Sequence, residues 1–199
     1  MQLRKSDVID GALSILDDYG LADLSMRRLA GSLGVAPGAL YWHVANKQAL
    51  LGAVSDRILS RLNTGHGASS EWDDELRALA RRLRDALLAH RDGAEIVASS
   101  LSARTVTHPV RTTVAHTLQA AGLSVGDSLT GADALLYYVL GATTDEQSRL
   151  QMDSAGALPP SDSADGADNF ADSDASRRFE FGLDLFVNGV DHRVRTLRS

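Results

Sequence analysis

Cysteine is absent from all 199 residues, which removes disulfides, thiolate nucleophiles and cysteine-ligated zinc together. A reducing cytoplasm is the compartment this suits. Also missing is any apolar run near the ~18–20 residues that would span a bilayer. The N-terminus, "MQLRKSDVID", is charged from the start, unlike an export signal. The expectation is a cytoplasmic protein without membrane contact. Lysine is nearly absent: only Lys5 and Lys47 accompany the arginines. Aromatic residues make up 5% of the chain, yet Tyr41 and Trp42 stand side by side next to His43.

What is present suits one large or two small domains with a real core, since 44% of the residues are apolar. The net charge of -6 argues against nucleic acid until its distribution is considered. Residues 1–61 hold seven bases against six acids, so the excess acid lies further on and the N-terminal part is free to present a local basic face.

The periodicity is helical, with no convincing strand. Apolar residues from Val8 to Tyr19 recur at helical spacing, with Ser6 as a plausible N-cap and Gly20 as the left-handed stop, predicting a helix over 7–19. Ser25 caps a short second helix ending at Gly34, Pro37 opens a third of barely two turns, and Asn46 caps a fourth running to Leu62. Longer helices are expected over 72–91, 108–121, 127–152 and about 176–198. Residues 153–176, with six aspartates, two prolines and no base, are expected to form a solvated loop.

The second and third helices, joined through Leu33, Gly34 and Val35, have the spacing of a helix-turn-helix: Ala30 is small where the helices cross, Gly34 turns the chain and Val35 plugs the core. With "LYWHVANKQALL" following, the sequence resembles the TetR family of bacterial transcriptional repressors, within it the tetracycline-repressor branch. The likeness extends through "KSDVIDGALSILDDYGLADLSMRRLAGSLGV", "ALLAHRDGA" and "FEFGLDLFVNGV", and so covers nearly the whole chain.

The resemblance implies an all-α fold: a three-helix DNA-binding head over 1–46, a connecting helix over 47–64, and a larger ligand-binding and dimerisation body over 65–199. It also implies a homodimer bundled through the eighth and last helices, with Leu136, Phe179, Gly182, Phe186 and Gly189 at the subunit boundary. A double-stranded DNA operator and a small-molecule inducer are the implied partners.

By position in the family, Tyr41, His43 and Lys47 contact the sugar-phosphate backbone, where hydroxyl, imidazole and ammonium donors fix register without reading sequence. Trp42 shares that segment but is expected to pack between helices, as aromatic side chains mostly do. The recognition helix begins with Ala36, Pro37, Gly38 and Ala39, none of which offers a side-chain hydrogen bond to a base. Base reading then falls to Arg27 or Arg28, where an arginine binds guanine O6 and N7 bidentately; the alternative is that both neutralise phosphate.

Tetracycline repressors hold the drug with magnesium through an imidazole, an asparagine and a second histidine. Aligned on "HRDGA", those positions are Val97, Leu79 and Asn63 here. A valine supplies nothing to a hard cation, so no metal and no cofactor are expected. The remaining pocket positions, Leu83, Ser100, Leu101, His116, Tyr138 and Asp145, describe an apolar cavity with a few polar groups, suited to a hydrophobic inducer.

Enzymatic readings lack motifs. No G-x-S-x-G, P-loop or H-E-x-x-H occurs, and "HRDG" at His90–Gly93, without the rest of the kinase set, reads as a structural cap. His108 and His116 are eight residues apart, not at the spacing of a helical metal pair. The expectation is a ligand-responsive repressor and no enzyme; a helical interaction protein or an enzyme without DNA binding is the alternative.

Overall fold

The computed structural model describes residues 3–63, 71–154, 156 and 170–198. Among them are nine α-helices and no strand: α1 (Lys5–Tyr19), α2 (Met26–Ser32), α3 (Pro37–Leu40), α4 (Lys47–Leu59), α5 (Trp72–Leu88), α6 (Gly93–Ser102), α7 (Val110–Ala121), α8 (Val125–Ser154) and α9 (Phe170–Arg198). The chain forms two compact units, Met1–His66 with Arg82–Pro109, and Gly67–Arg81 with Val110–Ser199, so the division falls inside α5.

In the first unit α1 packs on α2 and α4, and α4 packs on α6. Leu16, Leu29, Leu40, Leu50 and Ile58 are fully buried there, each contributing about 1.5–3 kcal/mol relative to exposure. Local chemistry sets most helix starts. The Ser25 hydroxyl accepts the Arg28 N–H at 3.2 Å, and the Asn46 side chain accepts the Ala49 N–H at 2.8 Å, so both anticipated caps form. Helix α1 instead begins two residues earlier than expected: Asp7 reaches back to accept the Arg4 N–H at 2.8 Å, which leaves Ser6 inside the helix. Gly20 ends it at φ 87°, donating its N–H to Leu16.

Between α2 and α3 the Val35 N–H bonds back to the Ala30 carbonyl and Gly34 takes φ 65°, the left-handed step that favours glycine. Ala30 is buried where a larger side chain would part the helices, whereas Val35 is only half-buried and Leu40 and Val44 fill the core in its place. Helix α3 is a single turn rather than two, continued by bonds from the His43 and Val44 N–H groups to the Leu40 carbonyl. Two local predictions fail further on. The helix expected over 72–91 stops at Leu88, and a separate α6 follows the "HRDG" turn. Residues 170–176, expected in the acidic loop, belong to α9, and α8 runs on to Ser154.

In the second unit α7 and α8 form an antiparallel pair turned at Gly122, φ 112°, with the Ser124 hydroxyl accepting the Asp127 N–H at 3.1 Å. Helix α9 lies on α8 through Phe179, Leu183, Val187, Val190 and Val194, spaced at three and four and all buried. Ion pairs frame this unit: Arg111 is bidentate to Asp133 at 2.5 and 2.8 Å, and Arg81 is bidentate to Glu180 at 2.8 and 2.7 Å.

Candidate nucleic-acid interface and ligand positions

The helix-turn-helix presents a continuous outer surface. Arg27, Ala36, Pro37, Gly38, Tyr41, Trp42 and Lys47 are exposed, while Ala39 and His43 are half-buried. Each is placed by something on its inner side: Leu29 and Ala30 anchor α2, Leu40 anchors the α3 turn, and Asn46 starts α4 so that Lys47 occupies its first position. A Cβ at Gly38 would meet nothing within 4 Å, so the glycine is not required by internal packing and leaves bare backbone facing outward.

Two expectations about this surface are corrected. Trp42 does not pack between helices: it is 90% exposed, because the chain turns at residues 41–43 and Leu40 and Val44 take the inward positions. Arg27 and Arg28 are also not equivalent. The Arg28 guanidinium is paired with Asp23 and lies 3.9 Å from the centre of the Tyr19 ring, whereas Arg27 is exposed. Arg28 is thereby committed to the corner between α1 and α2, and Arg27 is the arginine free to reach outward.

The expected ligand positions are divided between the two units. In the first, Leu83, Val97 and Ser100 are buried and Leu101 is half-buried. The Ser100 hydroxyl is enclosed with no hydrogen-bond partner. The Asn63 side chain lies outside the described residues. In the second unit Leu79 is buried, and Tyr138 and Asp145 meet in a cavity of about 210 Å³ with Glu146, Arg178 and Phe179. His116, expected to face the pocket, is exposed on α7 instead.

His108 escaped assignment from the sequence. Both its ring nitrogens are buried without partners, and burial holds its pKa below the ordinary histidine value against the opposing pull of the Asp56 carboxylate. No local pattern marks it, since its surroundings come from α4 and from the segment after α6.

Most of the residues expected at the subunit boundary pack within their own chain. Phe179 stacks on Tyr138 of its own chain, and a Cβ at Gly182 would overlap the Tyr138 hydroxyl. Leu136 is buried as well, Phe186 is half-buried, and only Gly189 of the anticipated set is open. Away from the ends of these helices, exposed apolar residues include Tyr137 at 73%, Phe181 at 66% and Leu185 at 59%. A second stripe at 181, 185 and 189 was available in the sequence; the richer stripe of Phe179, Leu183 and Phe186 concealed it.

Comparison with known proteins agrees with this architecture. The family model described as bacterial regulatory proteins, tetR family, matches residues 8–54, and the model of the tetracyclin repressor-like C-terminal domain matches residues 65–194. Tetracycline repressor protein class A from transposon 1721 of Escherichia coli is 35% identical, the match spanning 100% of this chain and 95% of that protein. The crystal structure of Mycobacterium smegmatis BioQ is similar with a TM-score of 0.85 at 46% identity, covering 96% of this chain and 99% of that one. A BioQ structure with its natural double-stranded DNA operator gives 0.77 at 42% identity, with coverage of 96% and 99%. Matching head, matching body and exposed recognition surface together place the chain in the TetR family of helix-turn-helix transcriptional regulators.

Proposed function

We propose that this protein is a homodimeric, ligand-responsive repressor that binds a palindromic DNA operator and is released from it by a small, largely apolar inducer. The observation that carries the reading is the exposed array from Arg27 through Tyr41 and Trp42 to Lys47 around the start of α3. Cationic and hydroxyl donors there suit phosphate oxygens, and the small residues Ala36, Pro37 and Gly38 allow the backbone to approach base edges and thymine methyls. A related protein has been crystallised with its DNA operator, and others of the family are named as tetracycline repressors. Residues 1–46 are the DNA-binding part in this reading, 47–64 the connection, and 65–199 the ligand-binding and dimerising part.

Dimerisation uses apolar residues left uncovered in the middle of α8 and α9, Tyr137, Phe181 and Leu185, beside the open Gly189. A dimer presents two recognition helices to major grooves ~34–36 Å apart, and an inducer that changes this separation releases DNA. Val97 and Leu79, standing where the family grips its magnesium–drug chelate, are both buried aliphatics, so an apolar ligand suits them. The testing experiment is selection of operator sequences from a random duplex pool, followed by footprinting and by thermal shift against hydrophobic natural products. Enrichment of a palindrome with a steep salt dependence supports the reading, and a pool that stays random overturns it.

A further inference from the structure

The "HRDG" turn does more than end a helix. Asp92 occupies the N-cap position of α6 but makes no capping hydrogen bond, and it sits at φ 54° in the left-handed region that non-glycine residues avoid. An aspartate at an N-cap normally accepts from its own helix. Here the carboxylate accepts instead from the Leu21 N–H, 71 residues away, at 2.7 Å. Leu21 opens the short turn that leads to Ser25, the cap of α2.

The contact is reciprocated. Asp17, near the end of α1, accepts the Arg91 N–H at 3.2 Å and the His90 ring at 3.0 Å; because a carboxylate only accepts, His90 Nδ1 carries the proton. Gly20 lies against the same turn: a Cβ there would stand 2.9 Å from the Asp92 oxygen and 3.2 Å from Arg91 Nε. The start of α6 and the corner between α1 and α2 are thus built around each other. The first turn of α6 and the segment after it both meet α4, the helix that carries Lys47: the Ser55 hydroxyl donates to the Ile96 carbonyl at 3.2 Å, and Asp56 accepts the Thr107 and His108 N–H groups at 2.8 Å each.

We propose that Asp92 and Asp17 are positioning residues for operator recognition, fixing the corner between α1 and α2 on the start of α6 so that α2 and α3 are presented to DNA at a set angle. A strained backbone and a forgone cap persist at Asp92 because its carboxylate is engaged elsewhere. The proposal rests on the DNA-binding reading for its consequence, but not for its structural content.

The test uses the full-length protein with Asp92→Gly, which suits the left-handed backbone while removing the carboxylate; Asp92→Asn, which retains an acceptor; and Asp17→Ala, which leaves the turn's backbone untouched. Amide hydrogen exchange without DNA is measured first. Asp92→Gly and Asp17→Ala are expected to speed exchange at Leu21 and in α2 and α3 on the order of tenfold, with α7 to α9 unchanged and Asp92→Asn close to wild type. On DNA the same two variants are expected to lose about tenfold in affinity for the selected operator while keeping their affinity for random duplex. Unchanged exchange in the head overturns the proposal whatever happens on DNA, and so does faster exchange with an unaltered ratio of operator to random-duplex affinity. A wild-type protein that enriches no operator overturns the functional reading, a result separate from the exchange data.

Discussion

Tyr138 and Phe179 join α8 to α9 through both parts of the tyrosine side chain: the rings stack with centroids 5.6 Å apart, and the Tyr138 hydroxyl donates to the Phe179 carbonyl at 2.6 Å. The stacked face of α9 is therefore internal to the chain, and the opposite face carries Phe181 and Leu185. Phe179→Ala is expected to cost about 3–5 kcal/mol of unfolding free energy, as aromatic truncations in a core do. Phe181→Glu combined with Leu185→Glu should leave the monomer folded by circular dichroism but shift it from dimer to monomer. Light scattering at low micromolar concentration decides this, and a double variant that remains dimeric refutes the assigned face.

For the DNA surface, Lys47→Ala is expected to weaken binding to all duplexes alike and to lower the salt slope by about one. Arg27→Ala should relax preference at one base pair per half-site, at a cost of about 1–3 kcal/mol there. Arg28→Ala should instead show itself in the melting temperature, because its guanidinium is held by Asp23 and Tyr19. Trp42→Ala should reduce operator affinity without lowering the melting temperature, since so exposed a ring has little packing to lose. Mobility-shift titrations beside calorimetry separate these four outcomes.

Acid should destabilise the fold in two stages with different owners. His108 has its pKa lowered by burial, so the unfolded chain takes up the proton first. Stability is therefore full above the ordinary histidine value of about 6.5 and declines as pH falls from there toward the lowered folded value. Denaturant titrations should show this decline in the wild type and a flatter profile in His108→Gln.

Two carboxylates govern the lower range. Hydrogen bonds from Arg111 and Arg81 hold Asp133 and Glu180 below their usual pKa values. Their contribution is present above the ordinary carboxylate range, about 3.9–4.3, and is lost as pH falls through the lowered folded values. Both pairs are partly exposed, so salt should weaken them, and Glu180→Gln should reduce the acid dependence only modestly.

Tetracycline with magnesium is expected neither to raise the melting temperature nor to release the protein from DNA. Val97 supplies no metal ligand, Leu79 offers no partner to the drug's polar edge, and each buried polar group left unpaired costs about 1–3 kcal/mol. Submicromolar tetracycline binding abolished by EDTA would contradict this directly. A largely apolar ligand should produce both effects.

Legibility in the sequence followed the range of the interactions involved. The caps at Ser25 and Asn46, the stop at Gly20 and the turn at Gly34 are decided within three or four residues, and all four form. Helical periodicity and the family-like segments made the fold class legible. Apart from Trp42, whose near neighbours Leu40 and Val44 take the inward sites, the misreadings concern choices made over long range. Trp42 and Phe179 are both large aromatics on short-period segments, yet one is exposed and the other buried, because Val44 and Leu40 occupy the inward sites in one case and Tyr138 offers a partner in the other. Helix α6 was hidden because Asp92, which starts it, bonds to Leu21 rather than to its own helix. Periodicity shows that a helix has an apolar face; which of two such faces turns inward depends on the shape and hydrogen-bonding groups of residues tens of positions away, and only the folded chain brings those together.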